Sequence, residues 1–214
     1  MRVALFDYGV GNLHSLGKAL EHGGAEVQVT GDWAEALAAQ ALVLPGVGAF
    51  SAAVEALPAD LGPLRTALSE GLPCLGICLG MQLLFDTSEE GAGRGIGIVP
   101  GRVVRLATRT VPQMGWNDVR FDDDPLFADL GSGQAHSVAA YYANSFVCVP
   151  DDAGDAIAWT THEDTEFVAA VRRGNTWGVQ FHPEKSSAPG RRLIENFLEA
   201  ARGLAVPTNS GSPS

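Results

Sequence analysis

Residues Cys74–Phe85 read CLGICLGMQLLF, and this segment decides the fold. The run Leu72–Ile77 predicts a buried strand and residues 79–90 predict a helix, so Cys78 lies at a strand-to-helix turn. The pattern Gly-x-Cys-x-Gly is typical of a nucleophile on such a turn, where the flanking glycines relieve crowding. A helix N-terminus also favours the reactive thiolate. These features favour a nucleophilic Cys78 over a buried, inert thiol.

The first half of the chain alternates strand-like and helix-like segments around this turn. VALFDYG (3–9), EVQVT (26–30) and ALVLPGVG (41–48) predict strands, and Asn12 and Asp32 are expected to cap the helices that follow the first two. A βαβα order predicts a parallel sheet with helices on both faces.

The second half is rich in predicted strands. These strands cover residues 97–107, 113–121, 140–149, 155–161 and 166–184. Gly174-Asn175 predicts a tight hairpin, and an amphipathic helix is expected over 188–203. We therefore expect one α/β domain over residues 1–203, with an open, mixed and mostly parallel sheet flanked by helices. Residues 204–214 are expected to be a disordered tail.

Composition excludes several classes of protein. The 14 basic and 25 acidic side chains give a net charge of −11, which disfavours binding to nucleic acid. No apolar run is long enough to span a bilayer, and we expect no secretory signal. The three cysteines form no CxxC pair, so no disulfide framework or zinc site is expected and a reducing cytoplasm fits best. We expect no metal and no organic cofactor.

A nucleophilic cysteine needs a base and a group that orients the base. His182 ends an apolar strand, and Glu184 lies two residues later, on the same side of an extended chain. Glu184 is therefore expected to accept a hydrogen bond from the imidazole. The other histidines are expected to be solvated or structural: His14, His22, His136 and His162.

The segment LPGVGAF (44–50) follows a buried strand. The backbone amides of Gly46, Val47 and Gly48, with that of Leu79, are candidates for an oxyanion hole. A simple glycine-rich turn explains this segment equally well.

Three segments occur in the order PGVGAF (45–50), GICLGMQLLF (76–85) and GVQFHPEKS (178–186). Together they resemble class I, triad-type glutamine amidotransferases. DYGVGNL (7–13) and PQMGWN (112–117) resemble, more narrowly, the glutaminase subunits of imidazole glycerol phosphate synthases, which act in histidine biosynthesis. The resemblance covers the chain from about residue 3 to residue 202.

The resemblance implies a role for each matched residue. Cys78 would be the nucleophile, His182 the base and acid, and Glu184 the orienting carboxylate. Residues implied to contact the substrate glutamine are Gln82, Tyr141 and Ser145. Residues implied to lie at a partner interface are Asn12, Gln113, Met114, Trp116, Asn117 and Lys185.

The resemblance also implies the activity: hydrolysis of glutamine and transfer of ammonia to a (β/α)8-barrel cyclase subunit in a heterodimer. The chain departs from the family in YYANSF (141–146), where relatives usually read Tyr-Phe-Val-His-Ser-Tyr. Asn144 thus replaces a histidine and Phe146 a tyrosine beside the glutamine pocket. Three alternatives stay open: a glutaminase for anthranilate or pyridoxal phosphate synthase, a catalytically silent regulatory module, and a general cysteine hydrolase.

Overall fold

The computed structural model describes residues 1–9, 13–46, 48–131 and 136–204. The strands in these ranges are β1 Arg2–Phe6, β2 Glu26–Thr30, β3 Ala41–Leu44, β4 Cys74–Ile77, β5 Thr87–Ser88, β6 Gly101–Arg105, β7 Gln113–Phe121, β8 Ser137–Asn144, β9 Phe146–Pro150, β10 Ala156–His162, β11 Thr165–Arg173 and β12 Thr176–Val179. The α-helices are α1 His14–His22, α2 Trp33–Leu37, α3 Phe50–Glu55, α4 Gly62–Ser69, α5 Leu79–Leu83 and α6 Ser187–Leu204. Short 3-10 helices cover Pro125–Phe127, Ala153–Asp155 and Pro183–Lys185.

Nine strands form one large mixed sheet in the order β2-β1-β3-β4-β12-β11-β10-β7-β8. Neighbouring strands are parallel from β2 to β12 and antiparallel from β12 to β8. The predicted mixed sheet is confirmed, but its described pairs divide evenly between the two types instead of being mostly parallel. The reason is that the second half of the chain returns through hairpins and not through helical crossovers. A small sheet, β5-β6-β9, lies apart from the large one.

Helices cover both faces of the parallel half of the sheet. Val3 and Leu5 of β1 pack in one core with residues of α1 and α6. Ala4 and Phe6, which point the opposite way, pack in a second core with residues of α2 to α5. A parallel strand that is buried on both faces has apolar residues at successive positions. For this reason β1 was predictable from the sequence.

One predicted helix cap is confirmed, whereas α1, α3 and α5 differ from expectation. Asp32 caps α2 as predicted, because its carboxylate accepts hydrogen bonds from the backbone amides of Ala34 and Glu35. Helix α1 begins at His14, and Asn12 lies outside the described residues. Helix α3 was not predicted. Helix α5 ends at Leu83 instead of continuing to residue 90, because the Leu83 carbonyl accepts a hydrogen bond from the distant Ile96 amide.

The predicted strand over 140–149 is two strands that belong to different sheets. Asn144 ends β8 in the large sheet, and Phe146 begins β9 in the small sheet. The Ser145 carbonyl between them accepts a hydrogen bond from the Leu106 amide at 2.9 Å. The predicted hairpin at Gly174-Asn175 is confirmed by the pairing of Arg173 with Thr176. This change of sheet at Ser145 brings polar backbone to the end of the parallel strands.

Helix α6 extends to Leu204, one residue into the predicted tail, and residues 205–214 lie outside the described residues. None of the helices in the described ranges combines the length and hydropathy needed to span a bilayer.

Candidate active site

Cys78 occupies a strained turn between β4 and α5. Its backbone adopts φ 48° and ψ −103°, a conformation that side chains rarely take. Backbone strain of this kind costs about 1–3 kcal/mol and clusters at functional sites. The Cys78 amide donates to the Val179 carbonyl at 2.7 Å, which ties the turn to β12. The strand-to-helix turn predicted from Gly-x-Cys-x-Gly is therefore present.

The two flanking glycines allow α5 to approach the sheet backbone. A Cβ atom on Gly76 would lie 2.6 Å from the Gly80 carbonyl oxygen, and one on Gly80 would lie 2.0 Å from the Leu44 carbonyl oxygen. No side chain fits at these distances, so the glycines relieve crowding as expected.

His182 lies just beyond the C-terminal end of β12, the parallel neighbour of β4. Gly178 faces Met81 of α5, and beyond the end of β12 the Gln180 side chain reaches Cys78 at the start of the same helix. A Cβ atom on Gly46 would lie 2.8 Å from Cys78 Cβ and 3.2 Å from His182 Cε1. The ends of β3, β4 and β12 thus bring the thiol and the imidazole together, at the edge where open α/β sheets place ligands.

Glu184 orients the imidazole. Its Oε1 lies 2.8 Å from His182 Nδ1, which leaves Nε2 for the Cys78 thiol. Burial by itself lowers the pKa of His182, but interactions with Cys78 and then with Glu184 outweigh it and raise the pKa to about 9. Sulfur, imidazole and carboxylate therefore interact in series.

The raised pKa of His182 makes a prediction about stability. The imidazolium is favoured in the folded state, so its contribution is complete below the ordinary pKa of 6.5 and is lost as the pH rises to about 9. Glu184→Gln should lower the pKa of His182 and flatten this loss. Denaturant unfolding of both proteins across this pH range measures the effect. Parallel stability curves for the two proteins would contradict it.

A cavity of about 200 Å³ opens beside Cys78, and we call it the Cys78 cavity. It is lined by Gly46, Gly48, Cys78, Leu79, Gln82, Glu90, Ala143, Asn144, Ser145 and Phe146. Most residues predicted for the oxyanion hole and for glutamine contacts are in this set, while Val47 lies outside the described residues.

Tyr141 is not among the residues that line the cavity. Its ring instead contacts the Lys185 ammonium at 5.7 Å and the Trp116 ring at 6.2 Å. The half-buried Tyr141 side chain therefore packs beside the exposed Trp116 and Lys185, and its contact with glutamine stays a prediction.

Asn144, which stands where relatives usually have histidine, lines the cavity. Its Nδ2 donates to the Phe146 carbonyl at 3.1 Å and so braces the change of sheet at Ser145. The departure from the family thus puts asparagine in the cavity wall, and among the described residues no hydrogen bond joins its side chain to Cys78, His182 or Glu184.

Two polar residues of the site were missed from the sequence. Glu90 is the one charged residue among the lining residues, and burial raises the pKa of its carboxyl group. No local signal identified it, because residues 79–90 were predicted as one helix. Gln180 is fully buried against Cys78. The two-residue alternation that joins it to His182 was a usable signal.

The predicted interface residues divide between surface and interior. Met114 and Trp116 are 68% and 55% exposed, which is high for large apolar side chains, and Lys185 is also exposed. Asn117 is half-buried and donates to the Thr161 carbonyl. The side chain of Gln113, at the start of β7, is buried, so its place at an interface stays a prediction. Asn12 lies outside the described residues.

One family model and several known proteins are similar to this chain over most of its length. The family model "Glutamine amidotransferase class-I" matches residues 4–201. Two relatives are named imidazole glycerol phosphate synthase subunit HisH. The one from Gloeobacter violaceus is 46% identical, covering 93% of this chain and 89% of its own. The one from Moorella thermoacetica is 45% identical, covering 94% and 95%.

A solved structure, PurLQS from Thermotoga maritima, superposes with a TM-score of 0.72 at 20% identity, covering 92% of this chain and 97% of its own. This likeness concerns the fold. The family model and the two relatives show the family as well as the fold. The chain belongs to the class I glutamine amidotransferases, and within them to the HisH subunits.

Proposed function

We propose that this chain hydrolyses L-glutamine to glutamate and ammonia through a thioester on Cys78, and passes the ammonia to a cyclase subunit. The observation that carries the proposal is the series Cys78, His182 and Glu184, in which Cys78 lines a small cavity. A nucleophile, a base and an orienting carboxylate are the parts that acyl transfer from an amide requires.

The Cys78 cavity suits an amino acid. Its volume of about 200 Å³ lies below the range of sites for drug-sized ligands and favours glutamine over a peptide. Glu90 supplies a carboxylate for the α-ammonium group, while Gln82 and Ser145 supply polar contacts for the rest of the substrate. Asn144 and Phe146 complete the wall on the side of β8 and β9.

The reaction begins with attack of the Cys78 thiolate on the side-chain amide carbon of glutamine. Negative charge develops on the amide oxygen, and we assign its stabilisation to the amides of Gly46, Val47, Gly48 and Leu79. Between described residues, no hydrogen bond uses the Leu79 amide, as expected for the first residue of a helix. His182 gives its Nε2 proton to the leaving nitrogen, and ammonia departs.

The thioester on Cys78 is then hydrolysed. Neutral His182 takes a proton from water, and the resulting hydroxide attacks the thioester carbon. The C–S bond breaks, glutamate leaves, and the thiolate and imidazolium are restored as an ion pair. The raised pKa of His182 suits this resting state, because it keeps the imidazole protonated beside the thiolate.

The partner follows from the product and from the relatives. Ammonia is protonated in neutral water and loses its nucleophilicity, so a second subunit must receive it directly. We propose that this partner is a (β/α)8-barrel cyclase, bound as a heterodimer, which makes imidazole glycerol phosphate and aminoimidazole carboxamide ribonucleotide in histidine biosynthesis. A cytoplasmic location suits the three unpaired cysteines.

An assay of glutamate release from glutamine tests the proposal, with and without the cyclase subunit and its nucleotide ligand. We expect release that depends on Cys78 and is greatest in the complex. No release from an assembled complex would instead support the silent module. Turnover of esters or peptides by the isolated chain would support the general cysteine hydrolase.

The exposed indole of Trp116 makes a prediction about the partner. Trp116→Ala should weaken binding of the cyclase by at least about tenfold, because large aromatic side chains dominate the energy of interfaces. Titration of the labelled cyclase measures the affinity. The matched control is Val29→Ala, since Val29 is 54% exposed on the opposite edge strand β2. Equal affinities of the two variants would contradict the prediction.

A further inference from the structure

Gln180 is a polar side chain in a place that disfavours polar groups. It follows β12, between the core residues Val179 and Phe181, and its relative exposure is 0%. A buried carboxamide without hydrogen bonds costs free energy, so the partners that it has account for its presence. The Gln180 amide donates to the Ala169 carbonyl at 2.8 Å, which fixes its backbone against β11.

One partner is the nucleophile. Gln180 Nε2 lies 3.5 Å from Cys78 Sγ, a hydrogen-bonding distance for sulfur, and the NH₂ group donates. A donor at this position favours an anionic sulfur over a neutral one, because hydrogen bonds to charged groups are the stronger kind. The contact also favours one rotamer of the Cys78 side chain. His182 lies two residues after Gln180, and this rotamer sets the position of the sulfur relative to the imidazole.

The other partner is Gln82, which lines the Cys78 cavity. Gln82 Nε2 donates to Gln180 Oε1 at 3.5 Å and to the Phe146 carbonyl at 3.4 Å. Two acceptors facing the NH₂ group, both at long hydrogen-bond distances, favour this orientation of the Gln82 carboxamide. Its carbonyl oxygen is then the atom left for a ligand, and a carbonyl oxygen accepts hydrogen bonds from an ammonium or an amide NH₂ but repels a carboxylate.

We propose that Gln180 is a positioning residue, which holds the Cys78 sulfur with its NH₂ group and the Gln82 carboxamide with its carbonyl oxygen. The nucleophile and a wall of the substrate cavity are thereby set by a single buried side chain. The second role rests on the proposed glutaminase function, whereas the first concerns the thiol alone.

Two substitutions separate these roles. Gln180→Glu keeps an acceptor for Gln82 but replaces the donor to sulfur with a carboxylate. Alkylation of Cys78 by iodoacetamide at neutral pH should slow about tenfold, and its pH profile should move upward. In the complex with the cyclase, kcat for glutamine should fall while KM changes little. Gln180→Leu removes both contacts, so KM should rise as well, because the Gln82 carboxamide is free to turn over.

The alkylation assay reports on Cys78, because Cys78 is 7% exposed and lines the Cys78 cavity, whereas Cys74 and Cys148 are 0% and 1% exposed and burial raises the pKa of both thiols. The control is Thr176→Val, a buried position on β12 whose hydroxyl has no partner among the described residues. It should leave alkylation, kcat and KM unchanged.

Alkylation needs no substrate, so it tests the sulfur contact even if the chain does not hydrolyse glutamine. Wild-type alkylation rates in Gln180→Glu would overturn the proposal. Identical changes in alkylation, kcat and KM in the two variants would also overturn it, because a purely structural role predicts no separation. If Gln180→Glu does not fold, the apolar Gln180→Leu decides: the proposal requires slower alkylation and a higher KM, and wild-type values of either would overturn it.

Discussion

Replacing Cys78 with alanine is expected to lower glutamine hydrolysis by at least about 10³-fold, because no thioester can form without the sulfur. The loss should be confined to this reaction. The complex with the cyclase should still assemble, and cyclase activity supported by added ammonia should stay at the wild-type level. Measuring glutamate release and ammonia-dependent cyclisation on the same preparation separates loss of the nucleophile from loss of the fold.

The matched control is Cys74→Ala, the same chemical change four residues earlier. Cys74 begins β4 inside the second core, and burial raises the pKa of its thiol, so it is not a competing nucleophile. This variant should keep its glutaminase activity at a modest cost in stability. Substantial glutamate release by Cys78→Ala, or equal losses in both cysteine variants, would contradict the assignment of Cys78.

The parts of the site that follow from local periodicity were predictable. Cys78 was identified because a strand, a glycine-flanked turn and a helix meet at one residue. Glu184 was paired with His182 on the premise of an extended chain; the pair is present, but a 3-10 helix over Pro183–Lys185 forms it instead of an extended strand. Gln180 lies two residues before His182 in the predicted strand, so the same alternation predicts that its side chain lies on the same side as the imidazole. Local sequence therefore identifies the nucleophile and the pair of His182 and Glu184, whereas the contact between Cys78 and His182 comes from the pairing of β4 with β12.

The parts that depend on distant contacts were not predictable from one sequence. Residues 79–90 read as a helix, yet the Leu83 carbonyl accepts a hydrogen bond from Ile96, and the chain turns into β5 and carries Glu90 into the cavity. The break at Ser145 likewise depends on a hydrogen bond from Leu106. Propensity is a weak prior that tertiary contacts override, and here they build the substrate side of the site.

Gly46→Ala is expected to have the second large effect, although it adds only one methyl group. The added Cβ would lie 2.7 Å from the Ile77 carbonyl oxygen, 2.8 Å from Cys78 Cβ and 3.2 Å from His182 Cε1. Because the carbonyl is fixed in β4, relief must come from moving the thiol or the imidazole. A displacement near 1 Å lowers activity about 100-fold, and overpacking costs about 1–3 kcal/mol of stability.

Glutamate release by the complex and denaturant unfolding of the isolated chain measure the two effects of Gly46→Ala. The matched control is Gly17→Ala in α1, where the new Cβ would meet only Leu5 Cδ2, at an ordinary 3.9 Å. This control should keep full activity and gain stability, because alanine is favoured over glycine inside a helix by about 1 kcal/mol. Full activity in Gly46→Ala would contradict the prediction. It would show that the backbone after β3 moves to accommodate the methyl group, and that the close approach of the three strand ends does not position Cys78 and His182.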